Sequence, residues 1–272
     1  MVPENPERHV EASLNPPLEI TLLGTGTSQG IPVIGCTCKA CKSTDPRDKR
    51  TRTAAFVQSG DTGISIDLSP DFRQQMLSQE LSNVHAVLLT HEHNDHILGL
   101  DDIRPINFLY RREIPIYGAA RSLLEIHRRF IYAFDPEYHY PGKPRVSSII
   151  INDDPFKIGN TEITPIPVDH GEMAIYGFRI GNLAYITDAK TIPGSSKALL
   201  KGLDVLILNA LRFEPHITHL NIEEAISIVN ELKPGRTYLT HISHDTGLHA
   251  EIDKILPEGI RLGYDGLRIK IN

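Results

Sequence analysis

Hydrophobic residues fall into short runs of two kinds along the chain, and the two kinds alternate. Runs of β-branched and aliphatic residues bounded by turn residues predict strands. These runs are 18–23, 54–58, 63–67, 86–90, 114–117, 162–167, 175–180, 183–187, 205–210, 236–240 and 266–271. Apolar residues at helical spacing predict helices over 71–79, 119–131, 195–201, 221–232 and 249–256. The alternation predicts an α/β fold in which sheets and helices pack in layers.

The first residues do not follow this pattern. Residues 1–17 contain four prolines and mixed charge without apolar periodicity, so we expect a disordered leader there and one domain over 18–272. The leader lacks the apolar stretch of a signal peptide, and no later run is long enough to span a bilayer. These features predict a cytoplasmic protein with no membrane partner.

A cluster of metal-binding residue types follows the strand predicted at 86–90. It contains His91, His93, Asp95 and His96, a pattern expected by chance only about 0.002 times in a chain of this composition. Two residues apart on extended chain, His91 and His93 project to the same side. Asp95 and His96 fall after a turn where Asn94 is a candidate helix cap. The cluster therefore predicts two pairs of metal ligands.

Three further candidate ligands stand directly at the ends of predicted strands. They are His170, Asp188 and His241. Together with the four residues of the cluster they give seven nitrogen and oxygen ligands, which is too many for one zinc ion and suits two metals.

The three cysteines of the chain form a separate group, Cys36, Cys38 and Cys41. In a cytosolic protein such a tight group predicts metal binding rather than disulfides. A tetrahedral zinc needs a fourth ligand, and His244, close to the strand end at His241, is the candidate. The prediction is one structural zinc.

The charge of the chain limits its partners. A formal net charge of −6 argues against a surface that binds nucleic acid broadly, because such binding needs concentrated Lys and Arg. Local basic groups at 47–52, 111–112 and 128–129 are each candidate phosphate sites, but solvated loop or helix faces are the favoured interpretation. A small molecule is the expected partner, and the sequence leaves open whether the chain forms a homodimer.

Several motifs resemble the metallo-β-lactamase superfamily, whose signature is His-x-His-x-Asp-His followed by His, Asp and His ligands in that order. The resemblance covers 18–272. Within the superfamily, the chain resembles the PhnP group of phosphoribosyl 1,2-cyclic phosphodiesterases in four segments, namely 23–32, the cysteine group, 239–244 and 263–266. The resemblance implies an αββα four-layer sandwich with the site at one edge between the sheets.

The resemblance also implies roles for individual residues. It assigns His91, His93 and His170 to one metal, Asp95, His96 and His241 to a second, and Asp188 to a bridge between them. Asp67 corresponds to a carboxylate that orients a ligand histidine. The implied catalytic residues are Asp95 and His219, the latter as proton donor, with His216 as a rival. The residues Cys36, Cys38, Cys41 and His244 match the structural zinc of the group.

The predicted function is therefore hydrolysis of a small cyclic or linear phosphodiester by a hydroxide bridging two divalent metals, Zn, Mn or Fe. One alternative is a hydrolase resembling tRNA 3′-end endonucleases, although those use a long RNA-binding arm and lack the cysteine group. Another is a non-catalytic metal-binding module. A relative in pyrroloquinoline quinone biosynthesis has a similar cysteine group. The segment 132–146, which has no clear counterpart, is either a lid over the pocket or an ordinary surface loop.

Overall fold

Two seven-stranded sheets form the centre of the computed structural model, which describes residues 17–271. The leader predicted over 1–17 lies outside the described residues except for Pro17. The strands are β1 Leu18–Gly24, β2 Ala54–Ser59, β3 Thr62–Ile66, β4 Ala86–Leu88, β5 Ile114–Gly118, β6 Val146–Ile150, β7 Phe156–Ile158, β8 Thr161–His170, β9 Met173–Ile180, β10 Leu183–Ile186, β11 Val205–Asn209, β12 Arg236–Thr240, β13 Ile260–Leu262 and β14 Arg268–Ile271. The strand orders are β14-β1-β2-β3-β4-β5-β6 and β13-β12-β11-β10-β9-β8-β7.

Helices cover the outer face of each sheet. They are α1 Lys39–Lys42, α2 Phe72–Ser78, α3 Asn94–Ile97, α4 Arg104–Tyr110, α5 Ala120–Arg129, α6 Ile131–Phe134, α7 Gly194–Leu199, α8 Ile222–Leu232 and α9 His249–Ile255, with 3₁₀ turns at Pro46–Asp48, Leu100–Ile103 and His244–Thr246. The α8 helix begins with a capping box. The Asn221 side chain accepts from the Glu224 amide at 2.8 Å, and Glu224 accepts from the Asn221 amide at 2.9 Å.

Three apolar cores separate the layers. One lies between the two sheets, where Ile64 of β3 and Phe178 of β9 are fully buried. A second joins the first sheet to α2 and α5, and a third joins the second sheet to α8 and α9. Three cores between four layers are the αββα arrangement, so the predicted fold class is confirmed.

Strand direction gathers several strand ends at one edge. The strands β3, β4, β5 and β6 pair in parallel, as do β10, β11, β12 and β13. Strand β9 is antiparallel to both β8 and β10, so β8 runs in the direction of β10. Because parallel strands end on the same side of a sheet, residues that follow them can meet at one edge.

The predicted elements are all present, with ends shifted by a few residues, and seven further strands and helices are not predicted by the apolar pattern. Three of them, the helices α1, α3 and α6, have only four residues each. Strands β7 and β13 have only three residues each, too few for a pattern to show. Strand β6 is an edge strand whose Ile149 and Ile150 are exposed. Helix α4 exposes Phe108 and Leu109, so its apolar residues do not form one stripe. Among the described residues, no helix has the length and apolar character needed to cross a membrane.

Candidate metal centre

The seven candidate ligands lie together at the edge where the parallel strands end. One group, His91, His93, His170 and Asp188, offers ligand atoms within 4.8 Å of one another. The second group meets the same limit and contains Asp95, His96, Asp188 and His241. Asp188 belongs to both groups, so its carboxylate lies between two sets of three side chains. We refer to these seven residues as the His/Asp site.

Three residues of this region have an unusual backbone conformation. Asp67, Asp188 and His241 have φ angles of 65°, 59° and 56°; Asp67 and His241 follow a strand directly, and Asp188 lies two residues after the end of β10. The left-handed region costs a non-glycine residue about 1–2 kcal/mol. The other non-glycine residues with positive φ in 17–271 lie at or just after helix ends, where this conformation is ordinary. Within 17–271, strained non-glycine backbone away from helix ends is therefore found around the His/Asp site.

Unpartnered nitrogens in this site fit a metal. His96 Nε2 and both ring nitrogens of His241 are buried and have no hydrogen-bond partner among the described residues. Leaving such atoms unpaired costs free energy, because water has been removed without replacement. A metal ion would satisfy a neutral imidazole nitrogen in that position, so the donor set fits the predicted metals.

Neighbouring groups orient the histidines. His96 Nδ1 donates to Asp67 Oδ2 at 2.7 Å, and Asp67 also accepts from the amide and hydroxyl of Thr90. His170 Nδ1 donates to the Thr218 carbonyl at 2.8 Å. Each bond occupies one ring nitrogen and leaves Nε2 facing the other ligands as an acceptor, which is how proteins fix metal-binding histidines.

The carboxylates of the site favour positive charge on the groups around them. Burial lowers the pKa of His96, but the carboxylates of Asp95, Asp188 and Asp67 outweigh burial and raise this pKa well above its ordinary value. Burial raises the pKa of Asp188, but His241 and His96 lower it well below its usual range. Carboxylates this close together favour bound cations, whether protons or metals.

A cavity of about 470 Å³ opens beside the site. The residues that line it are Ser28, His93, Asn94, Asp95, Arg129, His170, Asp188, Thr218, His219 and His241. They include none of the segment 132–146, which forms α6 and the turns before β6.

Of the two rival proton donors, His219 is the one that lines the cavity. Its Nε2 lies 3.4 Å from Asp188 Oδ2, and its Nδ1 lies 2.9 Å from the Thr218 hydroxyl. Burial lowers the pKa of His219 to about 4, although the hydrogen bond to Asp188 opposes this. His216 Nδ1 lies 3.1 Å from His219 Nδ1, so His216 contacts the ring from outside the cavity lining.

Four cavity residues are not identified as site residues from the sequence. They are Ser28, Asn94, Thr218 and Arg129. The pair 128–129 was noticed as a basic group, but a solvated helix face was the favoured interpretation. The sequence holds no further signal, because whether a residue at the end of α5 reaches the cavity depends on how that helix packs.

The predicted cysteine group also assembles. Cys36 Sγ and Cys38 Sγ each lie 3.4 Å from His244 Nδ1, and the four ligand atoms of the group with Cys41 lie within 4.8 Å of one another. The Cys41 amide and the His244 ring lower the pKa of Cys38 to about 6, whereas burial raises that of Cys41 to about 11. We call this group the thiol cluster. Its sulfur and nitrogen donors fit a tetrahedral zinc.

This combination of a four-layer fold with a histidine and aspartate centre at the sheet edge is matched by a known family. The model of the β-lactamase superfamily domain matches residues 62–242. The chain belongs to this family, and its architecture is the metallo-β-lactamase fold. The family and the site together define the class of metal-dependent hydrolases.

More specific similarities cover nearly the whole chain. A solved structure described as a new diphosphatase from the PhnP family is 40% identical, with a TM-score of 0.88 over 94% of this chain and 98% of that one. The coenzyme PQQ synthesis protein B of Methylorubrum populi is 33% identical over 93% of this chain and 100% of its own length. A Porphyromonas gingivalis protein called octanoyltransferase is 41% identical over 92% of this chain. The chain spans about half (51%) of the length of that relative.

Proposed function

We propose that the protein is a metal-dependent phosphodiesterase that hydrolyses a small cyclic or linear phosphodiester of the phosphoribosyl 1,2-cyclic phosphate type. The observation that carries this proposal is the sharing of Asp188 by two groups of candidate ligands beside an open cavity. In the proposal, His91, His93 and His170 hold one metal, whereas Asp95, His96 and His241 hold the other. When bound, two divalent metals would supply positive charge for the phosphate oxygens and would lower the pKa of the attacking water.

The protein's own residues prepare this site before substrate arrives. Asp67 fixes the ring of His96, and the Thr218 carbonyl fixes the ring of His170. Neither ring then has to reorient during the reaction, which is the benefit of a preorganised polar site. The cavity beside the site gives room for a substrate.

A leaving alkoxide needs a proton, and His219 is placed to provide it. In the proposal the Thr218 hydroxyl, 2.9 Å from Nδ1, donates to that nitrogen, so Nε2 carries the hydrogen beside Asp188. An anionic phosphodiester bound there would raise the pKa of His219 from its low value, because nearby negative charge favours the protonated ring. His219 would then donate a proton from Nε2 to the leaving oxygen.

The test compares leaving groups in His219→Ala. We expect the rate on a 2′,3′-cyclic nucleotide, whose alkoxide leaving group needs a proton, to fall about 100-fold or more. The rate on bis-p-nitrophenyl phosphate, whose leaving group is a stable anion, should fall about tenfold or less. Steady-state rates at matched metal content measure both. His216→Ala should affect the two substrates less, and the exposed His127→Ala is the matched control.

Equal losses on both substrates would remove His219 from the proton-donor role. If the metal-loaded wild-type protein cleaved neither substrate, the phosphodiesterase proposal would be wrong. In that case diphosphate hydrolysis and a non-catalytic metal-binding module would be the remaining descriptions.

A second candidate is hydrolysis of a diphosphate bridge. It is favoured by the similarity to the structure described as a PhnP-family diphosphatase. The same residues would serve, because a diphosphate also presents anionic phosphate oxygens and needs an attacking water. Release of phosphate products from ADP-ribose, compared with the two diesters, separates these candidates. The similarity to the protein called octanoyltransferase covers only 51% of that protein's length, and no proposal of acyl transfer is based on it.

A further inference from the structure

Arg129 is the only cavity-lining residue of the described chain with a permanent positive charge. It is the last residue of α5, and its side chain is 34% exposed. The other charged or titratable lining residues are the histidines and aspartates of the His/Asp site and His219. The proposed reaction at the scissile phosphate already has ligands and a proton donor, so it does not require this guanidinium.

Two hydrogen bonds fix Arg129 beside the metal-binding turn. Its Nη1 donates to the Glu92 carbonyl at 2.7 Å and to Asn94 Oδ1 at 2.8 Å. Asn94 lies between His93 and Asp95 in the sequence and lines the same cavity. The guanidinium is therefore held at the side of the cavity that the His91–His96 turn forms.

The far end of α5 is attached to the same turn. The buried Glu92 carboxylate accepts from the Ser122 hydroxyl at 2.7 Å and pairs with Arg121 Nε at 2.6 Å. With both ends of the helix attached to one turn, the position of Arg129 relative to the site is fixed before any ligand binds. Preorganised groups lose less entropy when they bind a ligand.

Part of the guanidinium remains available. Within the described residues Arg129 Nε makes no hydrogen bond, and Nη2 lies 3.5 Å from Glu125 Oε2. An arginine fork pairs well with two oxygens of a phosphate or carboxylate. A fixed arginine with unused donors on the wall of a substrate cavity is suited to bind an anion.

We propose that Arg129 binds a second anionic group of the substrate, a phosphate or carboxylate separate from the phosphate that is cleaved. This inference rests on the proposed phosphodiesterase function and assigns the residue that recognises the second anionic group of a phosphoribosyl-type substrate. Arg129 acts here as a specificity residue, and its effect falls on substrate binding. The alternative is a purely structural role, in which Arg129 only holds α5 against the His91–His96 turn.

The test uses two diesters that differ only by a second phosphate: thymidine 5′-(p-nitrophenyl phosphate) and the same compound with a 3′-phosphate. A second pair, adenosine 2′,3′-cyclic phosphate with and without a 5′-phosphate, places the extra anion differently. For the pair in which the second phosphate lowers the wild-type KM, we expect Arg129→Met to raise the KM of the doubly phosphorylated member about 10- to 100-fold. The singly phosphorylated member should change about threefold or less, and kcat should change little for both.

Control variants separate binding from structure. Arg128→Met removes an exposed arginine of the same helix that also pairs with Glu125, and it should leave the preference intact. Glu125→Gln removes the carboxylate that competes for Arg129 and should lower the KM of the doubly phosphorylated member about twofold. This second variant keeps Arg129 and serves if Arg129→Met folds poorly.

The outcomes are distinct. A selective loss in Arg129→Met, or a selective gain in Glu125→Gln, supports the inference. Equal losses on both members of a pair, or no wild-type preference for the second phosphate in either pair, would overturn it while leaving the phosphodiesterase proposal standing. Absence of cleavage of bis-p-nitrophenyl phosphate by wild type would instead overturn the proposed function itself.

Discussion

The His/Asp site and the thiol cluster are two candidate metal centres built in opposite ways. Three of the four thiol-cluster ligands come from six consecutive residues, and the four protein donors are enough to complete a tetrahedral site. The His/Asp site draws its ligands from strand ends in both sheets and borders a cavity of about 470 Å³. A closed set of donors suits a structural metal, whereas a site with an open side leaves room for substrate.

The two centres are connected by a short piece of chain. His241 belongs to the His/Asp site and His244, three residues later, belongs to the thiol cluster. Between them, the Ile242 amide donates to the Thr25 carbonyl at 2.8 Å, and the Thr27 amide donates to the Ile242 carbonyl at 3.1 Å. A metal in the thiol cluster would therefore stiffen the loop that presents His241.

The largest difference between the His/Asp site and the thiol cluster is expected in Asp188→Ala. Because Asp188 belongs to both ligand groups, its loss should release both metals of the His/Asp site and lower the diesterase rate by more than about 1,000-fold. The thiol cluster should keep its metal, so the metal content should fall from about three per chain to about one. Metal analysis and steady-state rates measure the two effects. Asp169→Asn, a half-buried carboxylate of β8 outside both groups, is the control, and retention of all metals in Asp188→Ala would break the contrast.

A smaller effect of a different kind is expected from Cys38→Ser. Loss of one thiolate should remove a single metal and lower the free energy of unfolding by about 3 kcal/mol or more, since structural zinc contributes directly to folding. The His/Asp site should keep its metals, and the rate should fall about tenfold or less through loosening of the His241 loop. Denaturant unfolding and metal analysis test this, with the exposed Thr37→Ala in the same loop as control. An unchanged metal content would show that the cluster is not a metal site.

The smallest effect is expected at His249, the first residue of α9. Burial and the nearby Arg50 lower the pKa of His249 to about 4, and Arg50 Nη2 donates to His249 Nδ1 at 3.1 Å. The unfolded chain takes up a proton near pH 6.5 whereas the folded protein does not until about pH 4. The stability that the neutral ring contributes is thus present above pH 6.5 and is lost as the pH falls toward 4.

In His249→Gln this part of the acid sensitivity should be missing. Between pH 7 and pH 4.5, wild type should lose about 1–3 kcal/mol more unfolding free energy than the variant does. Urea titrations of both proteins at several pH values provide the measurement, and the difference between them cancels the titration of the metal ligands. Parallel pH profiles for the two proteins would contradict the assignment.

The sequence was most informative where the deciding contacts are local. The cysteine group and the His91–His96 cluster are visible because their members are separated by only a few residues. The eleven strands and five helices predicted from apolar patterns are all present. The strands and helices that the pattern does not predict are two three-residue strands, an exposed edge strand, three four-residue helices and a helix with exposed apolar residues, none of which carries a periodic signal.

Arg129 shows a feature that the sequence pattern cannot predict, namely which residue of a basic pair faces the cavity. The adjacent Arg128 and Arg129 look equivalent as a basic pair at the end of a helix. In the structure Arg128 pairs with Glu125 at 2.6 Å on the exposed face, whereas Arg129 contacts Glu92 and Asn94 at the cavity. A rotation of about 100° per residue around the helix axis separates them, and only the packing of α5 decides which of the two faces the site.

By itself, the sequence determined the fold class, the seven candidate ligands of the His/Asp site and the four of the thiol cluster, because residue type and strand-end position restrict these strongly. Only the tertiary structure decided that His219 rather than His216 lines the cavity and that Arg129 lies on the cavity wall, and it places the Asp188 carboxylate with both ligand groups, as the resemblance implies. These relations join residues from different strands and helices. They follow from how two twisted sheets and their helices pack, which no short stretch of sequence encodes.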